Sequence, residues 1–155
     1  MRAVVQRVLE ARVEVGDEIV GAIGPGLLAY VGFGRSDTPR DRTWTVSKIA
    51  SLRIFEHQGK MARALDDIGG SLLVVSQFTL YADVRRGRRP SFDDAMPPEQ
   101  ARVAYDAFIA EARGILGARV ATGRFGAAML VRSVNDGPVT IWLDSGALYR
   151  GGPDV

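Results

Sequence analysis

The sequence predicts a mixed, largely antiparallel α+β fold in layers, with two main helices, and three observations lead there. Polar and apolar residues alternate from Val4 to Val15 and again from Val120 onward, the period of half-buried strands. Two runs, Leu27-Leu28-Ala29-Tyr30-Val31 and Leu72-Leu73-Val74-Val75, are apolar on both faces and read as buried strands. Between these stretches, two segments carry helix-start chemistry followed by apolar residues at helical spacing, so the order is strands, helix, strands, helix, strands.

Each element has its own reason. In the first strand Val4, Gln6 and Val8, then Ala11, Val13 and Val15, alternate with polar or charged neighbours; Gly16-Asp17 is a hairpin signal and Ile19 to Ile23 the return. The Gly24-Pro25-Gly26 turn leads into the Leu27 strand, expected at the centre of the sheet. Asp37-Thr38-Pro39 starts the first helix, because a short oxygen-bearing side chain caps free amides and an early proline loses no hydrogen bond. Trp44, Ile49 and Leu52 supply its buried side, ending near Ser51. Arg53 to Phe55 returns to extended chain, and Glu56 to Gly70 reads as a hairpin or long loop before a strand from Leu72 to Phe78. Pro97-Pro98-Glu99 announces the second helix, which follows Ala104, Ala107, Phe108, Ala112 and Ile115 and stops near Gly117. In the last strand Met129, Val131 and Ser133 face one way and Leu130, Arg132 and Val134 the other.

At 155 residues the chain reads as one domain, 1–155, large enough to bury roughly 70% of its unfolded surface without a staple. It contains no cysteine, which excludes disulfides, thiolate catalysis and Cys-ligated metal. No His-Glu-x-x-His or grouped Asp/His pattern is present, so no metal or other cofactor is expected. Apolar runs fall far short of the roughly 18 residues that span a bilayer, and the charged, alternating N-terminus lacks a signal-peptide pattern; a cytoplasmic protein without a membrane partner is expected. The formal charge is +2, yet arginine supplies 18 of the 20 cations. Phosphate recognition and a GC-rich genome both produce that bias. Arg85, Arg86, Arg88 and Arg89 cluster just downstream of Thr79, where a solvated loop and a nucleic-acid contact are both open readings.

Two short segments put polar, backbone-exposing residues into otherwise apolar strands: Ser76-Gln77-Phe78-Thr79-Leu80 and Asn135-Asp136-Gly137-Pro138-Val139-Thr140. Thr79 is either a nucleophile or an ordinary strand threonine, and no evident base lies near it in sequence. The lone histidine, His57, sits in a turn-like stretch and argues against a Ser-His-Asp triad. Gly137-Pro138 is either a plain turn or a place where the backbone leaves the ladder and presents free carbonyls, since proline cannot donate to a sheet.

Together these segments closely resemble the two signature motifs of the D-aminoacyl-tRNA deacylases, the D-tyrosyl-tRNA(Tyr) deacylase family. Met1-Arg2-Ala3-Val4-Val5-Gln6-Arg7-Val8, Gly24-Pro25-Gly26-Leu27-Leu28, Arg53-Ile54-Phe55, Gly59-Lys60-Met61, Arg89-Pro90-Ser91-Phe92 and Thr122-Gly123-Arg124-Phe125-Gly126 resemble family positions in family order, so the likeness covers about the whole chain. Ala62, where bacterial relatives often carry Asn, and the extended tail from Gly146 to Val155 depart from the pattern without touching either motif.

The resemblance implies a sheet partly closed into a barrel and a homodimer that cleaves the ester of D-aminoacyl-tRNA, and of mischarged glycyl-tRNA(Ala), at the aminoacylated 3′ end. It implies that Gly137-Pro138 is cis and reaches into the opposite subunit's site, where its carbonyls hold the substrate's amino group. An L-residue would then drive its side chain into a wall, whereas any D-residue, and glycine, would fit. The tRNA 2′-hydroxyl would assist cleavage, with main-chain amides around Phe78 and Thr79 stabilising the oxyanion. Gln77, Phe78 and Thr79 become catalytic candidates, and Ser76, Met129, Arg7, Gly137 and Pro138 substrate-binding ones. Ser76 and Gln77 would hold the terminal adenosine with Phe78 packed against it; Met129 would line the adenine pocket unless it is simply core. From their clustering beside Thr79, Arg85, Arg86, Arg88 and Arg89 are the candidates to contact tRNA, and DNA is not an expected partner. Two rivals remain: a non-catalytic RNA-binding module built on those arginines, which lacks the interleaved aromatics of single-strand readers, and a small-molecule hydrolase using Thr79 directly.

Overall fold

The protein is described by a computed structural model over residues 1–149; Arg150 to Val155 of the tail lie outside the described residues. The sheet is assembled on β1 (Arg2–Val15), which is long enough to serve three partners. One edge pairs antiparallel with β3 (Gly26–Gly32) over Arg2 to Val8 and with β2 (Glu18–Ile23) over Ala11 to Val15. The other edge pairs antiparallel with β8 (Leu130–Asp144). Beyond β3 the sheet continues in parallel through β6 (Ser71–Ser76) to β7 (Val120–Thr122), while β4 (Phe55–His57) and β5 (Lys60–Arg63) form a separate hairpin.

Two cores result, one on each face. Leu27 pairs with Leu72 and Leu28 with Leu73, so the alternation of β3 and β6 runs in step. Leu27, Ala29, Val31, Leu72 and Val74, joined by Ala3 and Val5, pack under the helices; Leu28, Leu73, Val75, Val8, Ala11 and Val13 fill the opposite side. That second side is wrapped by Val20 and Ile23 of β2, Ala121 of β7, and Met129 and Val131. The wrap nearly closes a barrel: β2 lies so close to β7 that a Cβ on Gly21 would sit 2.3 Å from the Thr122 carbonyl oxygen. The expected partly closed, mixed sheet with two main helices is therefore the observed architecture.

The helices are α1 (Pro39–Ser51) and α2 (Pro98–Leu116), each opened by proline in the first turn. On α1 the buried side is Asp41, Thr45, Val46 and Ile49, with the expected Trp44 and Leu52 packed partly buried against it. On α2 the buried stripe is Ala101, Tyr105, Phe108, Ile109, Ala112 and Leu116, so the stripe ends on Leu116 and Ile115 faces solvent, a correction of one residue to the sequence reading. A second correction concerns β6, which ends at Ser76 and not at Phe78; Phe78–Tyr81 is a single 3-10 turn.

Asp41 ties the start of α1 to the point where β1 begins and β8 ends. Its Oδ2 accepts the Thr38 amide at 2.8 Å and the Thr38 hydroxyl at 2.6 Å. Burial pushes this carboxyl up, but hydrogen bonds from Ser145 and Thr38, with the N-terminal charge nearby, overcome that and bring it down from 3.8 to about 2. A carboxyl lowered on folding contributes stability that is present above its unfolded value and lost as pH falls through its folded value. Asp41→Asn should therefore lower stability at pH 7 by about 1–2 kcal/mol. Thermal denaturation should show the gap between the two proteins narrowing as pH falls from 3.8 towards about 2.

Candidate active site

The first motif is placed by the end of β6. Gln77 N–H donates to the Val31 carbonyl at 2.7 Å, the last rung with β3, and the chain then curls into the Phe78–Tyr81 turn. That turn is held from below: Arg2 donates to the Leu80 carbonyl at 2.9 Å, and its guanidinium lies 4.5 Å from the Tyr81 ring centre. The Tyr81 hydroxyl donates to Asp37 Oδ2 at 3.2 Å, and burial, followed by the Asp37 charge, pushes the phenol far up, so it stays a donor. The first amides of a short helical turn have no acceptor within it, which leaves the N–H groups of Phe78 and Thr79 available.

Next to the turn lies a cleft of about 710 Å³. Its floor is Val75, Met129 and Val131, and its walls come from Val31 to Phe33, Phe92, Ala95 to Pro98, Ala101 and Phe125 to Ala127. Ser76, Gln77 and Phe78 line one side, with Phe78 57% exposed at the mouth and edge-on to Phe92 at 5.0 Å between ring centres. The structure thus brings Ser76, Gln77, Phe78 and Met129 together. Thr79 is exposed outside the lining, and its hydroxyl accepts a hydrogen bond from Gln77 Nε2 at 2.5 Å. No carboxylate or imidazole is among the described residues lining the cleft, and His57 sits exposed on the β4 hairpin.

The second motif is a protrusion from β8. Pairing with β1 runs from Arg2 with Asp144 to Gln6 with Thr140, then resumes at Val8 with Asn135. One residue of β1, Arg7, therefore faces Asp136 to Val139, and the surplus is thrown out of the ladder. Asn135 Nδ2 staples its base, donating to the Arg7 carbonyl at 2.9 Å and the Val139 carbonyl at 3.0 Å. The Gly137-Pro138 peptide is cis, and Gly137 has φ +119°, a backbone state that side chains resist. Arg7 is packed beneath it, donating to the Ile54 carbonyl at 2.6 Å. Its Nε lies 2.8 Å from Asp136 Oδ2 but the N–H points off that line, so the contact is an ion pair without a formed hydrogen bond. Gly137, Pro138 and Arg7 do not line the cleft of their own chain.

The arginine cluster caps a loop closed by paired backbone hydrogen bonds between Asp83 and Ser91, at 2.8 and 2.9 Å. Arg85 is gripped by Asp83 at 2.9 and 2.6 Å, whereas Arg86, Arg88 and Arg89 are exposed. A second groove, about 530 Å³, carries Arg102, Arg113 and Arg124, but Glu18 holds Arg124 at 2.8 Å and Asp106 lies 3.6 Å from Arg102.

With this geometry in place, the D-Tyr-tRNA(Tyr) deacylase family model matches residues 4–144, taking in every strand and both motifs. The chain belongs to that family. A D-aminoacyl-tRNA deacylase of Roseiflexus sp. (strain RS-1) is 60% identical over 151 residues, 97% of this chain and 96% of its own length. A protein of the same name from Thermomicrobium roseum is 58% identical over 155 residues, 99% of this chain and 100% of its own. Among solved structures, one described as c-Myc DNA Unwinding Element Binding Protein superposes with a TM-score of 0.89 at 43% identity, covering 93% of this chain and 98% of that one. A probable eukaryotic D-amino acid tRNA deacylase shares the fold, with a TM-score of 0.80 at 22% identity over 92% and 97% of the two chains. The deacylase is a hydrolase acting on aminoacyl-tRNA esters.

Sequence reasoning missed much of the cleft wall. Phe92 and Phe125 lay in segments that resembled the family without a role attached, and Arg35 carried no pattern at all. The Asn135 staple is testable on its own. Asn135→Ala should cost about 1–3 kcal/mol by freeing two carbonyls. It should also lower deacylation by more than the unfolded fraction explains, when melting and turnover are measured on one preparation.

Proposed function

We propose that this chain, as one domain acting in a cytoplasmic homodimer, removes D-amino acids from tRNA and glycine from mischarged tRNA(Ala), and rejects L-amino acids through a clamp supplied by the partner copy. The observation that carries the reading is the separation of the two motifs. Ser76, Gln77 and Phe78 border the cleft, while Gly137-Pro138 projects from the outer strand and does not reach it. A substrate ammonium entering the cleft meets no carboxylate there, so main-chain carbonyls brought by a second copy are the fitting acceptor. β8 supports such a pairing: its free edge is long, and Leu130, Val134 and Trp142 expose apolar surface along it.

Within the site, the Phe78 and Thr79 amides stabilise the developing oxyanion, and the tRNA 2′-hydroxyl assists because the cleft offers no base of its own. Ser76, Gln77 and Phe78 hold the terminal adenosine against Met129, and Arg7 supports Gly137 from beneath. Arg86, Arg88 and Arg89, more than the neutralised Arg85, contact the tRNA body. One structural neighbour is named for DNA binding. Requirement for a 2′-hydroxyl separates the alternatives, since DNA lacks one.

The decisive measurement pairs D- and L-aminoacyl-tRNA, each ending in adenosine or 2′-deoxyadenosine. Turnover should be confined to the D-ester and fall sharply without the hydroxyl; equal turnover of D and L would end the proposal. Light scattering should find a dimer, and a fully active monomer would remove the clamp.

Two variants test the roles. Thr79→Val should keep turnover within about tenfold of native, because loss of an obligatory nucleophile costs several orders of magnitude. In Gly137→Ala the new Cβ would lie 2.7 Å from Val139 Cγ2 and 3.1 Å from Arg7 Nη2. Stability should fall by about 1–3 kcal/mol and turnover by about 10²-fold, the latter measured per folded molecule.

A further inference from the structure

We propose that Arg35 binds the phosphodiester linking the terminal nucleoside of the substrate to the strand behind it. This rests on the cleft being the seat of that nucleoside. Among the described residues lining the cleft, Arg35 is the sole charged side chain, set at the rim in an otherwise apolar wall broken by Ser76 and Gln77. The nucleoside itself is neutral; the ammonium of its aminoacyl ester is answered by the partner copy's carbonyls, and the nearest anion is the phosphate on its 5′ oxygen. The cleft thus offers one cation for a ligand that brings one anion.

The guanidinium is held in position before any ligand arrives. Arg35 Nε–H donates to the Asp93 carbonyl, and the Arg35 amide donates to the Asp94 carbonyl at 3.0 Å. Both ends of the residue are thereby fastened to the 93–94 segment, which a bridge between Gly34 and Ala95 holds in place. With Nε occupied, the two terminal nitrogens project as a planar fork, the shape that meets two phosphate oxygens at once.

Nearby carboxylates are turned to other partners. Asp93 Oδ2 accepts the Ser91 hydroxyl at 2.6 Å, and Asp37 accepts the Gly34 amide at 2.6 Å and the Met1 ammonium at 2.5 Å. Arg35 is exposed, so a phosphate can reach it while keeping part of its hydration. This separates it from Arg85, whose charge Asp83 already answers.

The test uses one D-amino acid esterified to three carriers: adenosine, adenosine bearing a 5′-methylphosphate diester, and tRNA. For the native dimer, adding the diester should raise kcat/KM about tenfold, mostly through KM, as expected for one charge-assisted contact. In Arg35→Gln that gain should shrink below about twofold, and Arg35→Lys should recover part of it, since a point charge without the fork still attracts phosphate. An undiminished gain in Arg35→Gln, or no gain in the native protein, overturns the assignment. So does an equal loss on the phosphate-free and phosphorylated esters, which marks a purely structural arginine. Failure of the parent reading looks different: the native dimer would then show no D-selective turnover of aminoacyl-tRNA at all.

Discussion

The register of β1 against β8 is the constraint on which the rest of the site depends. Below Gln6 the two strands pair residue for residue, a smaller shift leaves Leu9 unmatched between Val8 and Glu10, and between Gln6 and Val8 a single residue of β1 must be matched to four of β8. The ladder cannot absorb that surplus, so Asp136 to Val139 leave it as a body with its own internal bonds. Asn135 closes the base and Arg7 fills the space beneath. The residue that creates the mismatch is thus also the one that props its product. A protrusion built this way is stiff because the same strand is committed on its other edge to β3 and β2, and cannot slide to relieve it.

The cleft side is made rigid by different means. The Phe78 turn lies past the end of its strand, where no ladder supports it, and polar contacts replace one. Arg2 takes the Leu80 carbonyl, Tyr81 takes Asp37, and Asp37 also receives the Met1 ammonium and the Gly34 amide. Through Asp37 the first strand, the loop before α1 and the turn share one anchor. Amides meant to meet a transient negative charge are useful only if they do not have to be reoriented at that moment.

How much of this was legible follows from which forces leave periodic traces. The two-sided apolar run of Leu27 to Val31 placed β3 at the centre. Proline and threonine announced α1. The end of β6 was not legible, because a 3-10 turn has no apolar period and Phe78 looks like one more strand residue. Ile115 was mistaken for core because adjacent apolar residues leave the helix phase ambiguous, and tertiary packing chose Leu116. The cleft walls were invisible for a further reason: Phe92, Ala95 and Phe125 meet only after the chain closes over itself.

Val75, Val131 and Met129 belong both to the second core and to the floor of the cleft. No intervening layer separates the packed interior from the surface that receives the ligand. A substitution deep in the barrel, at Leu73 or Val13, would change the volume on which that floor rests, and close-packed interiors pass such changes to their neighbours. The helix side is tied to the cleft through its wall: Val31 and Phe33 belong to that core and line the cleft, and Phe33 packs edge-on against Phe108 at 6.4 Å between ring centres, so neutral drift is narrowed on both faces of the sheet.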